Sequence, residues 1–293
     1  MKKLIPSLCL LLISAILMGT STYAWFSMNT QVTASGMQVK AVAEDGLLIN
    51  YVTTVGDSNW SDNANTASTA INLTPASTEN VTNWYHNHSK KSANATDYVS
   101  TSWSALTITE NATAAVAGTS GGYSIGQFAD NGATKNAYVK YVYYIKSSAA
   151  AITLGSTQTF KELDVDEITI TGQTAAGLDL CKALRVGVKQ GTALKVFAPF
   201  SGATASYNVG GSSTAYAPDG VGTITDAANA TVYEADTNLL TTGTIPAVDS
   251  DSPMEIDIFV WFEGEDANCK SDNTDVLNSL TISVSFNLET TAD

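Results

Sequence analysis

Charge is scarce in this chain of 293 residues: Asp, Glu, Lys and Arg together make up 14%, and histidine occurs twice. With His86 and His88 as the whole imidazole supply, a Ser-His-Asp site would have to recruit one of them, and no Gly-x-Ser-x-Gly elbow is present. The two alternate, so a strand would set both on one face, yet no neighbouring Cys or carboxylate and no His-Glu-x-x-His completes a zinc set. The chain is therefore expected to be neither an enzyme nor the holder of a cofactor. Basic residues number 14 against 28 acidic ones, for a formal charge of -14. Phosphate repels such a chain, which argues against nucleic acid and anionic lipid as partners.

Long apolar runs are missing too, with one short exception at the start. Lys2 and Lys3 precede an apolar stretch from Leu4 to Met18 that contains Pro6. It falls short of the roughly 18 to 20 residues that a membrane span needs. Small residues follow it, with Thr22 and Ala24 at the minus-three and minus-one positions of a cleavage after Ala24. Residues 1–24 are predicted to be a secretory signal helix removed by a signal peptidase, leaving Trp25 as the first residue. Losing Lys2 and Lys3 takes the formal charge to -16. Cysteine is equally sparse, at three. Cys9 goes with the signal, and the remaining pair, Cys181 and Cys269, is predicted to form a disulfide, the common fate of an even pair in an exported protein.

Ser, Thr, Asn, Ala and Gly fill the space that charge leaves, and period-two alternation runs through it. Met37, Val39 and Ala41 alternate with Gln38 and Lys40, and Leu47, Ile49 and Tyr51 continue beyond a turn at Asp45-Gly46, as an N-terminal pair of strands. Val139, Tyr141, Tyr143 and Ile145 share one face, with Lys140 and Lys146 on the other. Val165 and Ile168 fall on opposite parities, which places a bulge near Asp166-Glu167. Leu184, Val186 and Val188 alternate with Arg185 and Gly187; Ile256, Ile258, Val260 and Phe262 share a face. The clearest strand is Leu280 to Leu288, whose apolar residues alternate with Thr281, Ser283, Ser285 and Asn287. Strands without regular intervening helices indicate an all-β, antiparallel sandwich. Two Asn-, Ser- and Gly-rich stretches, at about 55–137 and 201–245, read as insertions of short strands and loops on a single domain spanning 25–293. The first holds three of the five tryptophans, so it is not a linker.

Glu263, Glu265 and Asp266 gather hard oxygen ligands of the kind calcium takes. Their spacing is not that of an EF-hand loop, and an acidic turn in water is the simpler reading. The tyrosines at 138, 141, 143 and 144 could form a sugar-binding platform, though tyrosine also suits a pleated, half-buried surface.

Gly19-Thr-Ser-Thr-Tyr-Ala-Trp-Phe at the junction, then Ala34-Ser-Gly-Met-Gln-Val-Lys-Ala, resemble the start of Gram-positive exported proteins with a SipW-type signal, the TasA and camelysin family. Val260-Trp-Phe-Glu-Gly-Glu-Asp-Ala-Asn-Cys is similar to the closing region of many such exported proteins. The resemblance covers about the first 50 and last 40 residues. It implies a jelly-roll-like sandwich, a secreted or cell-surface location, and a role as subunit of biofilm-matrix or surface fibres. Camelysin is described as a metalloprotease, but no zinc motif carries that role over. On this reading the chain polymerises with itself head to tail, and other matrix or surface proteins are further partners. The freed segment Trp25, Phe26 and Met28 would add as a strand to the next subunit's sheet edge. The alternative is a monomeric surface adhesin contacting glycan or host protein.

Overall fold

Residues two apart on a strand share a face, and long apolar sets of this kind shape the computed structural model. It describes residues 32–44, 46–51, 60–65, 69–87, 103–113, 122–130, 132–155, 157, 159–172, 178–224, 231–266, 268–269, 277–278 and 280–290. The signal segment, its cleavage residues Thr22 and Ala24, the assembly residues Trp25, Phe26 and Met28, and His88 lie outside them.

Among the described residues the strands, in chain order, are β1 (Val32–Ala43), β2 (Leu47–Asn50), β3 (Asn63–Asn65), β4 (Thr69–Leu73), β5 (Tyr85–Asn87), β6 (Trp103–Ala105) and β7 (Thr109–Thr113). They continue with β8 (Tyr123–Asp130), β9 (Ala133–Ser147), β10 (Ile152–Leu154), β11 (Phe160–Thr171), β12 (Leu184–Gln190) and β13 (Ala193–Phe200). The last are β14 (Gly220–Ile224), β15 (Thr231–Leu240), β16 (Gly243–Ile245), β17 (Met254–Phe262), β18 (Leu277–Asn278) and β19 (Thr281–Thr290). One helical turn, Leu178–Cys181, precedes β12. The chain is all-β, as alternation predicts.

The strands build two large sheets. One runs β15-β11-β19-β1, with β18 continuing the register of β19 along β1 and with β3 and β4 on the opposite edge of β1. The other runs β14-β13-β12-β17-β9-β8-β7, and β2 also pairs with β9. Inward residues of both sheets meet in one apolar core: Val39, Ile282, Val284 and Phe286 from the first, Tyr141, Tyr143, Val186 and Ile258 from the second, all fully buried. At about 25 cal/mol per Å² of apolar surface removed from water, this shared core is the main driving force for the sandwich.

Three expectations change here. The sheets are mixed, because the first and last long strands, β1 and β19, lie side by side in parallel, as do β13 and β14. The two N-terminal strands are present but divide between the sheets, since Gly46, with φ +82°, lets the chain turn a corner from β1 in one sheet to β2 in the other. The stretches at 55–137 and 201–245 are woven into the sandwich: β8 joins β9, and β15 supplies Tyr233, Ala235 and Leu239 to the core. Their polar composition belongs to outward positions and turns, which is why they look like loops in sequence.

The expected bulge is present. Pairing of β11 with β19 slips between Val165 and Ile168, both fully buried, and the Glu167 N–H donates to Ser285 Oγ at 3.0 Å. A second apolar layer covers the outer face of the other sheet, where Trp84 stacks on Tyr138 with ring centroids 4.5 Å apart and meets Trp261 edge-on at 5.5 Å. Phe259 and Trp261 join that layer while Ile258 and Val260 face the core, so β17 is buried on both faces.

Candidate functional site

Two groups of charged residues stand out, one at the end of the sandwich and one on a sheet face. The first surrounds the acidic turn after β17. Arg185 is the outward residue between Leu184 and Val186, but the turns after β13 and β17 fold over it and leave it fully buried. Its Nη2 donates to Asp266 Oδ2 at 2.8 Å, with neither side chain exposed. Its Nη1 donates to the carbonyls of Lys182 at 2.9 Å and Leu184 at 3.0 Å, and the guanidinium lies 5.5 Å from the Tyr207 ring centre.

Asp266 also accepts the N–H groups of Thr204 and Asn268, and Asn268 Nδ2 reaches on to the Gly202 carbonyl. Glu263, fully buried, accepts hydrogen bonds from the Ser77 hydroxyl, the Glu265 N–H and Trp261 Nε1. Burial pushes its carboxyl above the usual range, against the pull of the Arg185 guanidinium.

This arrangement speaks against calcium at Glu263, Glu265 and Asp266, the lesser of the two readings of this turn. Every carboxylate oxygen of Glu263 and Asp266 already faces a donor, so the pair lacks the open oxygens a metal needs. The solvated turn fails as well. Glu263 and Asp266 instead clasp together the segments around Ser77, Arg185 and Thr204, and Glu265 is half-buried beside them. A lone Arg within the apolar run Leu184 to Val188 was the available sign of this clasp, and its partner 81 residues away was not.

The expected Cys181–Cys269 disulfide is likewise absent: both are free thiols, Cys181 buried in the main core and Cys269 half-buried against it. Burial pushes the Cys181 thiol up to about 12. Burial, then Asp266 and Glu263, push the Cys269 thiol up as well. Thiolate is the reactive form in disulfide exchange, and both sites disfavour it.

The other aromatic and imidazole candidates are mostly structural. Tyr141 and Tyr143 are fully buried in the core and Tyr138 in the outer layer, so three of the four tyrosines are unavailable as a sugar platform. His86 is buried against Phe128, and its Nδ1 lies 2.9 Å from the Pro75 carbonyl. A groove of about 640 Å³ opens nearby, lined by Ser104, Thr107, Gln127, Phe128 and Thr134 among others.

The second charged group lies where β11 pairs with β19. Glu162, Asp164 and Glu289 each bring one carboxylate oxygen within 4.8 Å of the others. Asp164 is 2% exposed, and its Oδ1 has no hydrogen-bond partner. Asn287 stands opposite Asp164 in the register, with its Nδ2 on Asp166 Oδ1 at 3.0 Å and its buried Oδ1 without a donor. Burial, then Glu162, Glu289, Asp236 and Asp166, push the Asp164 carboxyl up to about 6. Sequence reading passed over these residues, although Glu162-Leu-Asp-Val-Asp166 alternates acid with apolar residue, the sign of an acidic strand face.

Among the described residues no helix is long and apolar enough to cross a membrane. Compared with known proteins, the chain matches no family model, no curated protein and no solved structure.

Proposed function

We propose that the chain is an exported, non-enzymatic structural subunit that assembles head to tail into extracellular filaments by adding its N-terminal segment to a neighbour's sheet edge. The observation that carries this reading is the position of β1. It begins at Val32, directly after the Trp25 to Gln31 segment, and from its first residues it pairs with β4 on one side and β18 on the other. A segment of seven residues ahead of so firmly held a strand reaches about 23 Å when extended, enough to meet another subunit.

An acceptor is available in β7, which is exposed at all five residues and whose outer side pairs with no described strand. Such an edge presents unpaired N–H and C=O groups. The proposed sandwich is jelly-roll-like, in keeping with a chain that passes between the sheets repeatedly, from β9 to β11, back to β12, over to β15 and again to β17.

Processed protein should form filaments under negative stain, and Trp25→Ser with Phe26→Ser should abolish them while leaving a cooperative melt. Undiminished polymerisation of the double variant would overturn assembly through this segment. The alternative, a monomeric surface module, draws on the groove beside Phe128. It predicts that processed protein stays monomeric and binds a glycan or peptide that a groove substitution such as Gln127→Ala weakens.

A further inference from the structure

We propose that Glu162, Asp164 and Glu289 form a calcium site on the outer face of the sheet, with Asn287 Oδ1 as a neutral oxygen ligand. β11 and β19 present these side chains at paired positions, Glu162 against Glu289 and Asp164 against Asn287. The carboxylate oxygens of the first three converge within 4.8 Å, a span that one ion with oxygen ligands at about 2.3–2.6 Å can bridge.

Two independent observations separate this group from an ordinary acidic surface. Asp164 is almost wholly buried, yet its Oδ1 has no donor. A buried, unpaired carboxylate oxygen is costly, and a bound cation removes that cost. The Asn287 amide nitrogen is committed to Asp166, and its buried oxygen too lacks a donor. The two orphaned acceptor oxygens belong to residues paired across the strands, and a positive ion held between them would satisfy both.

Among the described residues, the charges acting on Asp164 come from carboxylates: Glu162, Glu289, Asp236 and Asp166. Glu162 is half-buried and Glu289 exposed, so an ion can enter from solvent and keep water on its open side. Oxygen ligands exclude soft metals and favour calcium or magnesium. Ligands on two adjacent strands, with no fixed octahedral cage, suit the larger and more tolerant ion.

The test is thermal unfolding and calorimetric titration of the full chain with calcium chloride, at constant ionic strength, against magnesium chloride. Calcium should raise Tm and bind saturably with about one ion per chain, and magnesium should shift Tm less. Asp164→Asn should raise the ion-free Tm and remove the calcium shift; Glu289→Gln, which relieves part of the repulsion on Asp164, should raise the ion-free Tm less and weaken calcium binding about tenfold. Absence of a saturable calcium shift would overturn the site. So would equal shifts from both salts, which would mark screening of the net negative charge, or a calcium response retained by both variants. Filament formation is a separate readout, so failure of this site leaves the assembly reading standing.

Discussion

Tyr143 Oη donates a hydrogen bond of 2.8 Å to the Val39 carbonyl, and the bond runs from β9 in one sheet to β1 in the other. Both residues are fully buried. The phenol thus spans the core and ties together the two layers that burial of apolar surface brings near.

Tyr143→Phe keeps the ring and removes the tie. The expected cost is about 1–2 kcal/mol, because a buried carbonyl loses a partner that water cannot replace. Urea unfolding should show a lower midpoint with an unchanged slope; a midpoint equal to the parent's would mean that the bond adds nothing net.

Gly126 makes room for a second tyrosine. A Cβ at this position would lie 2.2 Å from the Tyr138 ring, which crosses β8 to donate to Glu110 Oε1 on β7 at 2.8 Å. Gly126→Ala should therefore destabilise by about 1–3 kcal/mol, the usual cost of overpacking. In a Tyr138→Ala background the same change should cost far less, and a double-mutant cycle without coupling would refute the contact.

The Arg185–Asp266 pair predicts an asymmetry between single and double change. Arg185→Met leaves Asp266 buried without its cation and should cost about 3–5 kcal/mol. Arg185→Met with Asp266→Asn should recover part of that loss, read as a higher denaturation midpoint than the single variant's.

Free thiols predict a labelling pattern. At pH 8 the folded chain should react slowly with iodoacetamide at Cys181 and Cys269, since burial holds both thiols protonated, Cys181 up to about 12. Unfolding without reductant should expose both to rapid alkylation. If neither reacts after unfolding until reductant is added, they were bonded.

Asp164 gives a pH dependence with a definite sign in calcium-free buffer. Its folded-state pKa, about 6, lies above the unfolded value of about 3.9. The folded chain therefore holds the extra proton between these values, and this residue's contribution to stability falls as pH rises from about 4 to 6. Above about pH 6 the cost of the buried charge is fully present. Asp164→Asn should flatten this part of the stability profile, and an unchanged slope would argue against the shift.

Local pattern carried a good part of the fold. Strict alternation from Leu280 to Leu288 placed β19 with its apolar side inward, and the parity break between Val165 and Ile168 located the bulge. The same reasoning misjudged residues whose neighbours are distant in sequence. Lys146 alternates with apolar residues and reads as solvent-facing, yet it is 2% exposed with its Nζ 4.0 Å from the centre of the Trp60 ring. Trp84 showed no period because it belongs to a short strap laid across β9 and β17, not to a strand of the main sheets.

What the sequence determined by itself is the regular strands outside the two polar stretches, their inward faces and the scarcity of catalytic side chains, since side-chain alternation is a property of each strand alone. Only the tertiary structure decided which sheet each strand joins, that β1 lies parallel to β19, and that Arg185 meets Asp266 while Glu162 and Asp164 meet Glu289. The reason is physical. Backbone N–H and C=O groups pair with any strand in register, so the choice of neighbour rests on how whole faces bury one another. Local spacing marks an acidic face at Glu162-Leu-Asp-Val-Asp166 and a lone Arg185, but not the distant partner that each meets.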